Sequence, residues 1–178
     1  VAREIRFLLS DCTPSVALCE ARLEETLREA TRDLAAAPGA IVGCGGPDDA
    51  WERALAAARP LERALPSGPE DPMLLLNTSG TTGRPKGALL PQRKTLYNCR
   101  NAEIFFRLTR DDRVLVALPL FHSFGLNILS LPTLYAGGRV VLRRAFEPAA
   151  VWEDVDREGI TFFGGVPTMF RALLDALQ

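Results

Sequence analysis

Apolar positions recur along the chain with two different periods, and the alternation between them sets the first expectation for the fold. Between Ala21 and Leu34 the apolar positions Leu23, Leu27, Ala30 and Leu34 are spaced as one face of a helix, with Glu24 and Arg28 one turn apart for pairing. Short apolar runs at Val16–Cys19 and Ala40–Val42 flank this helix as strands, and an Ala-rich helix is predicted over 48–58. Further strands are predicted at Met73–Leu76, Val114–Leu118, Arg139–Leu142 and Ile160–Phe163, with helices over 92–107 and from Pro167 onward. One more helix has Pro148 near its first turn and Gly159 just past its end. The closing helix stacks Met169, Phe170, Leu173, Leu174 and Leu177 on one face. Strand and helix alternating in this way predict an α/β fold with largely parallel sheets covered by helices.

The prolines at 60, 66, 69 and 72, with Gly68, deny regular structure to 59–72 and mark a linker-like loop. With 178 residues the expectation is one domain or part of a larger one. Val1 in place of a methionine, and an apolar run cut short at the end, suggest an excised or incomplete chain.

Composition changes the picture mainly by exclusion. At 47% hydrophobic and 24% charged residues the chain reads as globular, and a net charge of −1 lacks the basic excess that nucleic acid binding requires. Cys12, Cys19, Cys44 and Cys99 form no CxxC pair and His122 is the only histidine, which argues against a zinc site or a disulfide framework and for a reduced, cytoplasmic setting. No basic, apolar leader opens the chain, and the apolar stretch 114–142 is broken by polar residues, prolines and glycines, so no integral membrane segment is expected.

The candidate chemistry is concentrated after the third strand. Residues 74–87, LLLNTSGTTGRPKG, join an apolar run to a loop with hydroxyls at 78, 79, 81 and 82, glycines at 80, 83 and 87, and Lys86. Glycines let backbone N–H groups approach a phosphate, hydroxyls donate to its oxygens and the ammonium offsets its charge. A flexible surface turn rich in small polar residues has the same composition. The ordinary P-loop of NTPases does not match, because Pro85 stands where its second glycine belongs and Gly87 replaces its Ser/Thr.

The run from Thr78 to Gly87 resembles, nearly residue for residue, the TSGTTGxPKG signature of the adenylate-forming superfamily, which comprises acyl- and aryl-CoA synthetases, firefly luciferases and nonribosomal-peptide adenylation domains. Asn77 stands where many members have Tyr or Phe. The resemblance implies that Thr78, Ser79, Gly80, Thr81, Thr82, Gly83 and Lys86 grip the β- and γ-phosphates of ATP, with Thr81 the candidate at magnesium and Lys86 also in the catalytic set.

Two further segments extend the resemblance. Pro119-Leu120-Phe121-His122 is similar to the PxFH run that borders the carboxylate, which makes His122 both a catalytic and a substrate-binding candidate. An imidazole there can donate to a carboxylate or gate the substrate from solvent, while a lone histidine in an apolar run also reads as a structural residue. Gly164-Gly165-Val166-Pro167-Thr168-Met169 is similar to the segment lining the acyl tunnel of fatty-acyl-CoA ligases, and it equally reads as a strand-to-helix turn. Leu126, Ile128, Gly164, Gly165 and Met169 suit an apolar tail, so a medium- or long-chain fatty acid is the expected substrate.

Taken together, the resemblance implies that residues 1–178 are part of a single AMP-binding N-terminal domain of an acyl-CoA synthetase, an acid–thiol ligase using ATP, Mg2+ and coenzyme A. The YGxTE segment, the ribose-binding Asp with its hinge, and the C-terminal domain with its lysine are absent from the sequence, so the chain alone is expected to be inactive. Three rivals stay open: a nucleotide-binding regulatory module without catalysis, a conventional P-loop protein, and an adenylating enzyme that loads a carrier protein.

Overall fold

The computed structural model describes residues 2–46, 49–63, 65–78 and 85–177. The chain divides into two compact units between Leu65 and Pro66, inside the proline-rich connection.

In the first unit, helix α1 (Ala2–Cys12) leads into strand β1 (Val16–Glu20), helix α2 (Glu24–Thr31), strand β2 (Ala40–Cys44) and helix α3 (Ala50–Ala57). β1 and β2 pair in parallel from Val16 opposite Ala40 to Glu20 opposite Cys44. The amphipathic spacing acts as expected: Leu27 and Ala30 are buried with Leu9 of α1, and Arg28 Nε donates to Glu24 at 3.2 Å. The helix is shorter than its apolar period, because Ala21–Leu23 winds as a 3-10 turn before it and α2 stops at Thr31. Asp49 caps α3, its carboxylate accepting from the N–H groups of Trp51 and Glu52. Helix α1 is a departure from the sequence expectation, which assigned no element there.

The second unit begins with strand β3 (Pro72–Thr78), which forms an antiparallel hairpin with strand β4 (Lys86–Pro91). Helix α4 (Gln92–Phe106), strand β5 (Arg113–Val116), a π-helical turn at Phe124–Ser130, helix α5 (Leu131–Tyr135), strand β6 (Arg139–Leu142), helix α6 (Pro148–Glu158), strand β7 (Phe162–Phe163) and helix α7 (Pro167–Asp175) follow. β5 lies between β6 and β7, parallel to both.

Because β5 is central, both of its faces are covered, and this explains an apolar run in place of an alternating one. Val114 and Val116 face one core with Leu108 and Leu129, while Leu115 faces the other with Val151 and Leu173. α6 ends on Gly159, whose φ of 63° is the left-handed cap that only glycine adopts at little cost. α7 buries Met169 and Leu173 but leaves Phe170 and Leu174 exposed, and Leu177 lies exposed beyond its end, so the packed stripe is narrower than the predicted one. No helix among the described residues is long and apolar enough to cross a membrane.

Candidate functional site

The signature residues close a hairpin. Antiparallel register sets Leu76 opposite Ala88, Asn77 opposite Gly87 and Thr78 opposite Lys86, so the strand ends on either side of the signature are adjacent. Thr78 Oγ1 donates to the Lys86 carbonyl at 3.3 Å, which ties the loop at its base. A side chain at Gly87 would put its Cβ 2.7 Å from Leu75 Cδ1, so the last glycine of the signature makes room for β3. Thr78 and Lys86 are exposed, and no carboxylate among the described residues pairs with the Lys86 ammonium. Ser79, Gly80, Thr81, Thr82 and Gly83 lie outside the described residues.

Magnesium has no site in what is described. Among the described residues no three His, Cys, Asp or Glu side chains group as metal ligands, and Thr81 lies outside them, so no step is assigned to the ion.

His122 sits on the connection from β5 to the π turn. Its N–H donates to Pro119 O at 3.1 Å, and its Nδ1 accepts from the N–H of Phe124 at 3.3 Å. An accepting Nδ1 leaves the proton of the uncharged ring on Nε2, so the exposed imidazole presents an outward N–H donor. The ring is not a buried core histidine, and the neighbouring Phe121 is 81% exposed.

Gly125 holds this connection in place. A Cβ there would lie 2.8 Å from Pro119 O and 3.0 Å from Leu118 O, both backbone atoms that cannot swing aside. Gly125→Ala is therefore expected to displace the His122 turn and to cost about 1–3 kcal/mol of stability. Chemical denaturation reads the loss, and an unchanged midpoint would refute the close approach.

The π turn is anchored on both sides. Asn98 Nδ2 of α4 donates to Asn127 O at 2.6 Å, Asn127 Nδ2 donates to Ser123 Oγ at 3.2 Å, and Ser130 Oγ donates to Gly125 O at 2.7 Å. Between α4 and this turn lies an open cavity of about 430 Å³, lined by Asn98, Asn101, Ala102, Phe105, Phe106 and Ile128. A volume of this size accommodates a small organic ligand. Sequence reasoning found Ile128 and missed the α4 wall; the i, i+3, i+4, i+7 spacing of Asn98, Asn101, Ala102 and Phe105 was the available signal.

The second glycine segment is packed. A Cβ on Gly164 would meet Leu129 Cδ2 at 2.7 Å, and one on Gly165 would meet Phe163 Cε1 at 3.2 Å and Met169 Sδ at 3.3 Å. Met169 neighbours Gly165, whereas Ile128 faces the α4 cavity and Leu129 covers Gly164, so the residues expected to line an apolar tail are not brought into one cavity. Val166 is exposed at the N-terminus of α7, and Pro167 occupies the first turn.

An indoleacetate–CoA ligase of Aromatoleum aromaticum is 39% identical over 175 residues, 96% of this chain and 34% of that protein. A feruloyl-CoA synthase of an Amycolatopsis species is 49% identical over 109 residues, 61% of this chain and 22% of that protein. The crystal structure of ATP-bound MatB from Rhodopseudomonas palustris superposes with a TM-score of 0.85 at 29% identity, covering 98% of this chain and 34% of that one. The chain thus spans about a third or less of the length of these relatives. The family model for AMP-binding enzymes matches residues 1–178, and the chain belongs to that family.

Proposed function

We infer that the chain is part of the N-terminal domain of an acid–thiol ligase, which uses ATP to convert a carboxylic acid to its acyl-AMP and then to a thioester of coenzyme A. The observation that carries this reading is the hairpin that sets Thr78 opposite Lys86, with an exposed ammonium, paired by no carboxylate among the described residues, in the TSGTTGRPKG signature. The names of two of the relatives described above, an indoleacetate–CoA ligase and a feruloyl-CoA synthase, agree with it.

In this reading the hydroxyls and backbone of Thr78, Ser79, Gly80, Thr81, Thr82 and Gly83, with Lys86, hold the β- and γ-phosphates. A carboxylate oxygen attacks the α-phosphorus, the bond from that phosphorus to the β-bridging oxygen breaks, and pyrophosphate leaves with its charge partly offset by Lys86. The coenzyme A thiol, giving up its proton, then attacks the acyl carbon and releases AMP. Positioning and charge neutralisation carry such chemistry more than covalent help from the protein. His122, through its Nε2–H, orients the carboxylate, and the segment Gly164, Gly165, Val166 and Pro167 borders the acid.

The apolar part of the acid occupies the cavity between α4 and the π turn. A medium- or long-chain fatty acid fits the aliphatic and aromatic walls. A second reading, an aromatic acid bearing polar substituents, is favoured by Asn98 and Asn101 in those walls and by the feruloyl and indoleacetate names of the relatives. Four free thiols accord with a reduced, cytoplasmic setting.

Acid-dependent ATP–pyrophosphate exchange on the complete gene product, with octanoate, palmitate, ferulate, indoleacetate and an amino acid, tests the assignment. Exchange with one of the apolar acids and thioester formation with coenzyme A are expected. Exchange with none of them, alongside tight ATP binding, would identify a regulatory nucleotide module instead. Transfer to a pantetheinyl carrier protein, and not to coenzyme A, would identify a carrier-loading enzyme.

A further inference from the structure

A second cavity of about 360 Å³ opens on a different face of α4, against α5 and the start of β3. It shares no lining residue with the cavity between α4 and the π turn and plays no part in the reaction described above. Its walls are Met73, Leu96, Leu131 and Leu134, with Gln92, Thr95, Cys99 and Tyr135 supplying the polar atoms.

Thr95 separates this cavity from an ordinary apolar groove. The residue is 6% exposed, and its Oγ1 is the one buried side-chain oxygen or nitrogen without a hydrogen-bond partner among the described residues. A helical threonine usually donates to a carbonyl three or four residues earlier, and here that bond is not made. A buried hydroxyl left in this state implies a partner that enters from outside the chain.

The character of that partner follows from the lining. No Asp, Glu, Lys, Arg or His is among these residues, and burial pushes the Cys99 thiol up from its ordinary value, so it remains an uncharged S–H. At the rim, Tyr135 Oη accepts from Arg100 Nε at 3.2 Å, which leaves its own O–H to donate. A carboxylate entering here would lose its hydration among uncharged lining residues, with the one guanidinium at the rim, Arg100, already engaged by Tyr135 Oη. We propose that this cavity is a second small-molecule site, taking a neutral, ring-sized apolar ligand whose single hydroxyl or carbonyl oxygen pairs with Thr95 Oγ1.

Calorimetric titration of the complete gene product with 4-propylphenol, propylbenzene and 4-propylbenzoate tests this. The phenol is expected to bind about tenfold more tightly than propylbenzene, the difference one hydrogen bond supplies, and the carboxylate more weakly than either. Thr95→Val keeps the shape and removes the hydroxyl, so it should erase the preference for the phenol while leaving propylbenzene affinity and the melting temperature no lower than in the wild type. Leu134→Trp, which fills the cavity, should abolish binding of both neutral probes. Equal affinity of wild type for phenol and propylbenzene would mean that a water alone satisfies Thr95, and it would overturn the proposal. A phenol preference that survives in either variant would overturn it too, as would a fall in the melting temperature of Thr95→Val, which would reveal a partner for the hydroxyl within the chain.

Discussion

Asp154→Ala is expected to lower the unfolding free energy of the second unit by about 3 kcal/mol at pH 7, one of the larger losses a single substitution in this chain can produce. Asp154 is 1% exposed, and both of its oxygens are engaged. Oδ2 accepts from Arg143 Nε at the end of β6, and Oδ1 accepts from Arg157 Nη2 at 2.6 Å one turn along α6. Arg143 also donates to Ala150 O at 3.1 Å, so one guanidinium joins the strand to the helix at two points. Arg157 is 64% exposed and its share of the interaction is screened, whereas Arg143 at 27% is half-buried and would lose its one carboxylate partner among the described residues. The estimate therefore rests on the Arg143 pair and lies at the low end for a buried pair.

The pH dependence provides an independent check. The hydrogen bond from Arg143 holds the Asp154 carboxyl below its ordinary value, with burial opposing and the charges of Arg143 and Arg157 assisting. A carboxyl depressed in the folded state stabilises the fold at pH values above its unfolded pKa of about 3.9, and that contribution is lost as pH falls through the lower folded value. The gap between wild type and Asp154→Ala should then be constant from pH 5 to 8 and close progressively below about pH 4. Urea titration in a Trp51→Phe background reads this, since Trp152 lies on α6 and its Nε1 donates to Leu173 O at 3.1 Å. A gap that persists unchanged at pH 3 would mean that the carboxylate charge is not what holds the two elements together.

Nothing in the sequence around Asp154 distinguishes it from a solvated helix face, since it lies within Glu153-Asp154-Val155-Asp156-Arg157-Glu158. Which of those acids is buried depends on where β6 delivers Arg143, a tertiary fact. The same limit explains strand β4. Ala88-Leu89-Leu90 follows a glycine-rich loop and precedes Pro91, so it reads as the tail of the loop until β3 is known to lie beside it. Elements whose burial follows from local period were legible: β5 as an unbroken apolar run, α2 as a stripe, and α6 between Pro148 and Gly159. The family signature at 78–87 was legible for a different reason, because it resides in residue types and not in their packing. The α4 wall of the cavity against the π turn was not, because it exists only once Asn98 reaches across to Asn127.

Lys86→Ala is expected to lower pyrophosphate exchange by the complete gene product about 100- to 1000-fold, the loss typical of removing one preorganised charge-stabilising group. The size of the effect depends on water. Two charges 4 Å apart interact by about 1 kcal/mol in bulk water and by about 4 kcal/mol at an effective dielectric near 20. Lys86 is exposed as the hairpin stands, so a 100-fold effect requires that bound ATP and the loop over it exclude solvent from the ammonium. Its strand position argues that the substitution is structurally mild, because it opens β4 on the surface opposite Thr78 and contributes its backbone, not its side chain, to the hairpin bond. A group that neutralises leaving pyrophosphate acts in the transition state, so kcat should fall far more than KM for ATP rises. Lys86→Arg, which keeps the charge but changes its shape, should recover part of the loss. A rise in KM at constant kcat would make Lys86 a simple phosphate tether, and equal rates in wild type and Lys86→Ala would remove it from the mechanism.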